Sequence, residues 1–227
     1  MPPASDPLAA VPLFAGLEPG QRQLLLEQHR RLSVAADQLL VLEQDEAQGL
    51  LLFQSGLAKV RSHSPDGDEA VLALLGPGDV CGEMAGLQDG RRSADVVSLL
   101  PCELLLLRGG PFRSLLMAEP SLALAVARLQ SQRLQELNRR YTLRTADATT
   151  RLLTALVELA QHASLAGDAL APIPPLPQRE LATLSGLARE TTSRTLSRLR
   201  QRGTVADLPG GGLQIVQVEA LRRRGLV

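Results

Sequence analysis

Six arginines, Arg179, Arg189, Arg194, Arg198, Arg200 and Arg202, fall between residues 178 and 202 against two glutamates, Glu180 and Glu190. Guanidinium groups at that density suit a polyanion such as nucleic acid, although a solvated helix face carries the same charges. The zero formal charge of the chain conceals this asymmetry, because residues 1–144 hold 14 basic and 17 acidic groups and residues 145–227 hold 10 and 7. Catalysis finds no comparable footing. The chain has no Ser/His/Asp arrangement, paired-carboxylate motif or Walker loop, and Gly109-Gly110 is too short to cradle a phosphate. His29, His63 and His162 are scattered, and Cys81 and Cys102 are too few for a thiolate metal cage or a disulfide framework. No catalytic residue, metal or enzymatic activity is expected.

The elements that must position these arginines follow from composition and pattern. The 227 residues are 44% apolar, with 48 leucines and only four aromatics, enough for one large domain or two modest ones. Apolar runs such as Leu104 to Leu107 fall far short of the ~20 residues of a membrane helix. Pro2, Pro3, Asp6, Pro7 and Pro12 interrupt the first twenty residues, so a cytoplasmic chain with no membrane partner is expected. A helical stretch should run from Pro19 to about Leu32. Between residues 34 and 108, short apolar runs at 39–42, 50–53, 58–60, 70–75, 95–99 and 103–107 alternate with Gly, Pro, Asp and Ser, which predicts an antiparallel sandwich or barrel. Pro65-Asp66-Gly67 and Gly76-Pro77-Gly78-Asp79 read as turns.

From Pro120 to about Thr145, residues Ala123, Ala127, Gln130, Leu134, Leu137 and Tyr141 recur at spacings of four and three, a heptad seam that asks for a partner. Asp147 can cap a helix from Ala148 to about Ala163. Two short helices, Arg179 to Leu184 and Arg189 to about Gln201, flank Ser185-Gly186-Leu187, as a helix-turn-helix requires. Val205 to Val216, broken by Pro209-Gly210-Gly211-Gly212, reads as a two-stranded wing, and a short helix from Val218 to Arg224 closes the chain.

Two motifs carry a family resemblance that covers Pro12 to Val218. Gly82-Glu83-Met84-Ala85-Gly86-Leu87, followed by Arg91-Arg92-Ser93-Ala94, looks like the phosphate-binding cassette of cyclic-nucleotide domains. Gln178-Arg179-Glu180-Leu181-Ala182 through Ser185-Gly186-Leu187-Ala188-Arg189-Glu190-Thr191-Thr192-Ser193-Arg194-Thr195-Leu196 is very similar to the helix-turn-helix of the same group. The chain thus resembles the cyclic-AMP receptor protein/FNR (Crp/Fnr) family of transcription regulators. The resemblance implies an α+β chain: a jelly-roll-like β-roll sensor domain at 1–119, a dimerisation helix and hinge at 120–146, and a winged helix-turn-helix domain at 147–227. It also implies a homodimer on palindromic double-stranded DNA, with RNA polymerase as a further partner.

For the ligand, the resemblance points to Gly82, Glu83, Met84, Ala85, Arg91, Arg92, Ser93 and Asn138. Arg92 supplies a donor fork for a cyclic phosphate, Ser93 a hydroxyl, and Glu83 an acceptor for a ribose 2′-hydroxyl, while Gly82 lets the backbone approach. A structural Glu83–Arg92 ion pair in a ligand-free domain is the alternative. Members that bind cyclic AMP offer two hydroxyl residues to the adenine where this chain has Leu137 and Asn138. Leu137 cannot hydrogen-bond and Asn138 can both donate and accept, so cyclic AMP, cyclic GMP, cyclic di-GMP and no ligand all stay open. The usual glycine near Gln44-Asp45 is absent, which should alter a turn and not the fold. No cofactor is expected: two cysteines cannot hold an iron–sulfur cluster, and a haem held by Cys81 and Pro2, as in the family's carbon monoxide sensor, lacks a nearby histidine.

The second helix of the helix-turn-helix would enter the major groove. Arg189, Glu190 and Arg194 match in type and spacing the family's base-reading residues; arginine fits guanine O6 and N7, and glutamate accepts from the cytosine amino group. Each half-site should then resemble TGTGA, with Arg179, Thr191, Ser193 and Arg198 on phosphates. A Glu190–Arg194 pair on a solvated face is the plainer reading. A non-DNA-binding interaction protein with a degenerate nucleotide domain is the remote alternative.

Overall fold

The computed structural model describes residues 6–87 and 90–227, and these fall into two compact units, one of the described residues up to Val60 with those from Leu75 to Glu136 and one of 61–74 with 137–227. The chain opens with a 3-10 turn at Pro12–Phe14 and helix α1, Pro19–Leu26, where Glu18 and Gln21 form a reciprocal capping box. Eight strands follow: β1 (Arg30–Val34), β2 (Leu39–Val41), β3 (Gly49–Ser55), β4 (Ala58–His63), β5 (Glu69–Leu75), β6 (Val80–Cys81), then, after the short helix α2 (Met84–Leu87), β7 (Asp95–Ser98) and β8 (Cys102–Arg108). They form two four-stranded sheets, ordered β1-β8-β3-β6 and β2-β7-β4-β5.

The central strands β3 and β8 of the first sheet are buried on both faces over most of their length, which explains their uninterrupted leucine runs. Leu50, Leu52, Leu105 and Leu107 face one core, shared with Phe14, Leu25, Phe112, Leu116, Leu122 and Val126; Leu51, Phe53 and Leu104 face the other, shared with Val41, Val96 and Leu75. Helices α3 (Gly109–Ala118) and α4 (Pro120–Leu143) supply the helical side of the first core.

The expected helix from Pro19 to Leu32 is corrected. It ends at Leu26, and Leu32 lies in β1 opposite Leu104. Arg30 and Arg31 make the segment read as helix surface, but the ladder with β8 decides its conformation. The two turns expected at 65–67 and 76–79 are present, closed by the amides of Gly67 on Ser64 and of Asp79 on Gly76. Where the family glycine is missing, Gln44 itself takes a left-handed φ of 69°, and its amide bonds the Arg92 carbonyl at 2.9 Å.

In the second unit, α5 (Ala148–Ala163) is followed by α6 (Gln178–Ser185), α7 (Arg189–Gln201), the antiparallel pair β9 (Val205–Asp207) and β10 (Leu213–Ile215), and α8 (Val218–Arg222). Asp147 caps α5 by accepting from the amides of Thr149 and Thr150 at 2.9 and 3.2 Å. A hydrogen bond from the Thr150 hydroxyl, at 2.6 Å, and these amides hold its carboxyl below its ordinary 3.8. The stabilisation is therefore complete above that value and is lost as pH falls through the lowered one. Asp147→Ala is expected to cost about 1 kcal/mol. Melting temperatures should show a deficit near neutral pH that shrinks as acid protonates Asp147 in the unaltered chain.

Candidate ligand site and nucleic-acid interface

The cassette begins where β6 ends. Gly82 takes a φ of +96°, a conformation that costs glycine little, and a Cβ here would collide with the Arg92 guanidinium. Glu83 follows, 1% exposed, and Arg92 is 9% exposed. Burial of a carboxylate calls for partners, and Glu83 finds them on α4: its Oε1 accepts from Gln130 Nε2 and from Arg133 Nη1, both at 2.6 Å. Arg133 also donates to the Val80 carbonyl. Arg92 instead donates through Nη2 to the Gly49 carbonyl at 2.8 Å. The expected alternative of a Glu83–Arg92 ion pair is therefore corrected: Arg133 takes that place, because α4 brings its guanidinium to the carboxylate while Arg92 turns toward β3.

Two buried polar atoms of the cassette find no partner among the described residues, Arg92 Nη1 and Glu83 Oε2. One is a donor and one an acceptor, and each left unmade costs on the order of 1–3 kcal/mol. Beside them, burial chiefly, and the Glu83 charge next, push the Cys81 thiol up to about 12. That thiol is not a ready metal or haem ligand, and Pro2 lies outside the described residues. Among the described residues, no group of three or more His, Cys, Asp or Glu could hold a metal ion.

The other cassette residues sit at the rim. Arg91 is exposed and donates to the Gln44 carbonyl at 3.0 Å. The Ser93 hydroxyl contacts Met84 Sδ at 3.8 Å, and the Ala85 side chain lies outside what is described. Asn138, exposed on α4, belongs to the second unit, where it and Leu137 line a cavity of ≈ 390 Å³ with Val71 and Leu72. Gln130 and Arg133 were not among the expected site residues. Gln130 stood out in the sequence only as a seam position, and no local signal tied Arg133 to a carboxylate 50 residues earlier.

The seam of α4 is largely uncovered. Leu122 and Val126 are buried in the first core, whereas Leu134, Leu137 and Tyr141 are 58%, 40% and 73% exposed.

On α7, Thr192, Thr195, Leu196 and Leu199 are buried, which turns Arg189, Glu190 and Arg194 outward. None of these three side chains is engaged in an ion pair among the described residues, so the expected Glu190–Arg194 alternative does not form. Thr191, Ser193, Arg194 and Arg198 line one shallow concavity together with Ser197 and Gln201, two residues that the spacing from Arg194 could have revealed. The sixfold arginine cluster is less free than its count implies. Arg200 donates to Asp207 Oδ1 at 3.0 and 2.6 Å, fastening α7 to β9, and Arg179 on α6 pairs with Glu180 at 3.4 Å.

Comparison with known proteins identifies both domains. Residues 31–119 match the cyclic nucleotide-binding domain family, and residues 150–224 match the Crp-like helix-turn-helix domain family. The cyclic AMP receptor protein of Thermus thermophilus is 34% identical over 200 residues, 88% of this chain and 90% of the relative. A CRP-like cAMP-activated global transcriptional regulator of Mycobacterium tuberculosis is 28% identical over 219 residues, 96% of this chain and 97% of the relative. Among solved structures, FixK2 of Bradyrhizobium japonicum superposes with a TM-score of 0.74 at 19% identity, covering 86% of this chain and 96% of its own. With a cyclic nucleotide-binding domain followed by a Crp-like helix-turn-helix, the chain belongs to the Crp/Fnr family of DNA-binding transcription regulators.

Proposed function

We propose that this regulator binds a cyclic nucleotide, cyclic AMP or cyclic GMP, in the cassette, and that as a homodimer it reads a TGTGA-type palindrome. The observation that carries the ligand reading is the pair of orphaned buried atoms. Arg92 Nη1 is a free donor for a phosphate oxygen, and Glu83 Oε2 a free acceptor for a ribose 2′-hydroxyl, so one ligand satisfies both. Ser93 and the backbone of Gly82, Met84 and Ala85 complete the phosphate cradle, and Arg91 borders it. The naming of the Thermus relative as a cyclic AMP receptor favours a purine mononucleotide.

A ligand bonded to Glu83 meets α4 through Gln130 and Arg133, and the exposed Leu134, Leu137 and Tyr141 give that helix a face for a second copy. In this reading residues 1–119 sense, 120–146 dimerise and 147–227 bind DNA. The chain is a non-enzymatic cytoplasmic protein with no cofactor and no membrane partner, and RNA polymerase is its further partner on DNA.

Melting the pure protein with cyclic AMP, cyclic GMP and cyclic di-GMP tests the ligand. At 100 times its dissociation constant, a bound nucleotide stabilises by about 2.7 kcal/mol, or roughly 5–11 °C for a chain of this size. Arg92→Leu should abolish that rise while leaving the ligand-free melting temperature almost unchanged, because the Glu83–Arg133 pair survives. A large loss in the ligand-free state would instead make Arg92 structural.

Selection from random DNA tests the reading of α7. It should return an inverted TGTGA-like repeat bound by a species of twice the chain mass. Arg194→Ala should cost about 1–3 kcal/mol at the cognate guanine and relax preference there. Arg198→Ala should weaken all sequences evenly and reduce the salt slope by about one. An equal loss for every sequence on Arg194→Ala would sink the assignment.

A further inference from the structure

The turn between α6 and α7 is held from outside. Gly186 closes α6 in the left-handed region, with φ +60°, and the amides of Gly186 and Leu187 return to the carbonyls of Thr183 and Ala182 at 3.1 and 3.0 Å. The carbonyls of Ser185 and Gly186 are thereby left facing away from the helix end. Arg151, one turn into α5, takes both: its Nε donates to Ser185 O at 3.0 Å and its Nη2 to Gly186 O. A cation at the carboxyl end of a helix is favourably placed. No carboxylate pairs with Arg151 among the described residues, so its guanidinium is committed to the turn. Helix α7, by contrast, has Ala188 as its N-cap residue and so no side-chain cap. What orients its first residues, Arg189 and Glu190, is the turn itself.

We propose that Arg151 is a positioning residue for DNA recognition: by clamping the Ser185 and Gly186 carbonyls it sets where the exposed face of α7 begins, without itself touching DNA. The inference rests on the reading of α7 as the base-reading helix but not on which bases it reads. It also gives Gly186 a second reason to be glycine, since a Cβ there would lie 2.6 Å from Arg151 Nη2, on top of the strained φ.

The test uses the full-length chain and the DNA sequence that the unaltered chain selects from a random pool. Arg151→Met keeps the aliphatic stem and removes every donor, and Arg151→Lys restores one cationic centre. Binding is measured well below the melting temperature against the selected duplex and an unrelated one, across a range of salt. We expect Arg151→Met to lower affinity for the selected duplex about tenfold, the equivalent of one or two charge-assisted hydrogen bonds. The unrelated duplex should lose much less, the salt slope should hold, and Arg151→Lys should recover part of the loss. Gly186→Ala should be markedly less harmful in the Arg151→Met background than alone, because the collision partner is gone. An equal loss on both duplexes with a slope lowered by about one would make Arg151 a phosphate contact and overturn the proposal. So would an unchanged ratio between the duplexes with only a lower melting temperature, which marks a merely structural bond. If the unaltered chain selects no sequence at all, the base-reading role of α7 falls first and this clamp with it.

Discussion

A carboxylate as buried as that of Glu83 needs hydrogen-bond donors beside it, and here they come from α4. The long helix is therefore electrostatically tied to the cassette as well as packed on the sheet through Leu122 and Val126. That arrangement divides the helix surface. One side is spent on the first core and on Glu83, and the remaining side carries Leu134, Leu137 and Tyr141 into solvent. The bonds of Glu83 thus also bear on which face of α4 is left uncovered. The tie uses only one oxygen of the carboxylate, so a ligand can take the other without first breaking the bonds to Gln130 and Arg133.

Local chemistry was legible in the sequence wherever a residue's own type dictates its conformation or its burial. Gly67 and Gly78 announced turns, Asp147 its cap, and the Ser185-Gly186-Leu187 break its pair of helices. The leucine runs of β3 and β8 announced strands for a related reason, since residues buried on both faces leave no polar alternation to confuse them with. β1 did not show itself, because Arg30, Arg31 and Ser33 follow a helix directly and only the pairing with β8, some 70 residues away, makes the segment extended. β6 has two residues, too few for any periodicity. Gln44 was expected to change a turn, yet it keeps the left-handed backbone that glycine would have taken, held by its amide bond to Arg92 and by the return bond from the Arg92 amide to Asp45.

The candidate site divides along the same line. Gly82, Glu83 and Arg92 could be picked out because their types and spacing resemble a family cassette. Their real partners could not, because Gly49, Gln130 and Arg133 come from distant strands and helices whose alignment depends on the finished fold. The ion pair weighed as the alternative to ligand binding, Glu83 with Arg92, does not form. Long-range electrostatics follows tertiary geometry, and sequence separation carries little information about it.

On α7 the order of causes runs from core to surface. Thr192, Thr195, Leu196 and Leu199 must be buried against α5 and α6, and on a helix of 3.6 residues per turn this fixes which way every other side chain points. Arg189, Glu190 and Arg194 are presented outward as a consequence of that burial and need no contacts of their own. What burial does not fix is the tilt and starting point of the helix, since sliding or rocking α7 would keep the same apolar stripe inward. Those degrees of freedom are limited at its two ends: the Ser185-Gly186 turn gripped by Arg151 at one, and the Arg200–Asp207 bond to β9 at the other. Three of these five residues, Arg151, Arg200 and Asp207, are charged groups that a count of charges would have assigned to DNA or to solvent. In this domain part of the charge serves to aim the rest.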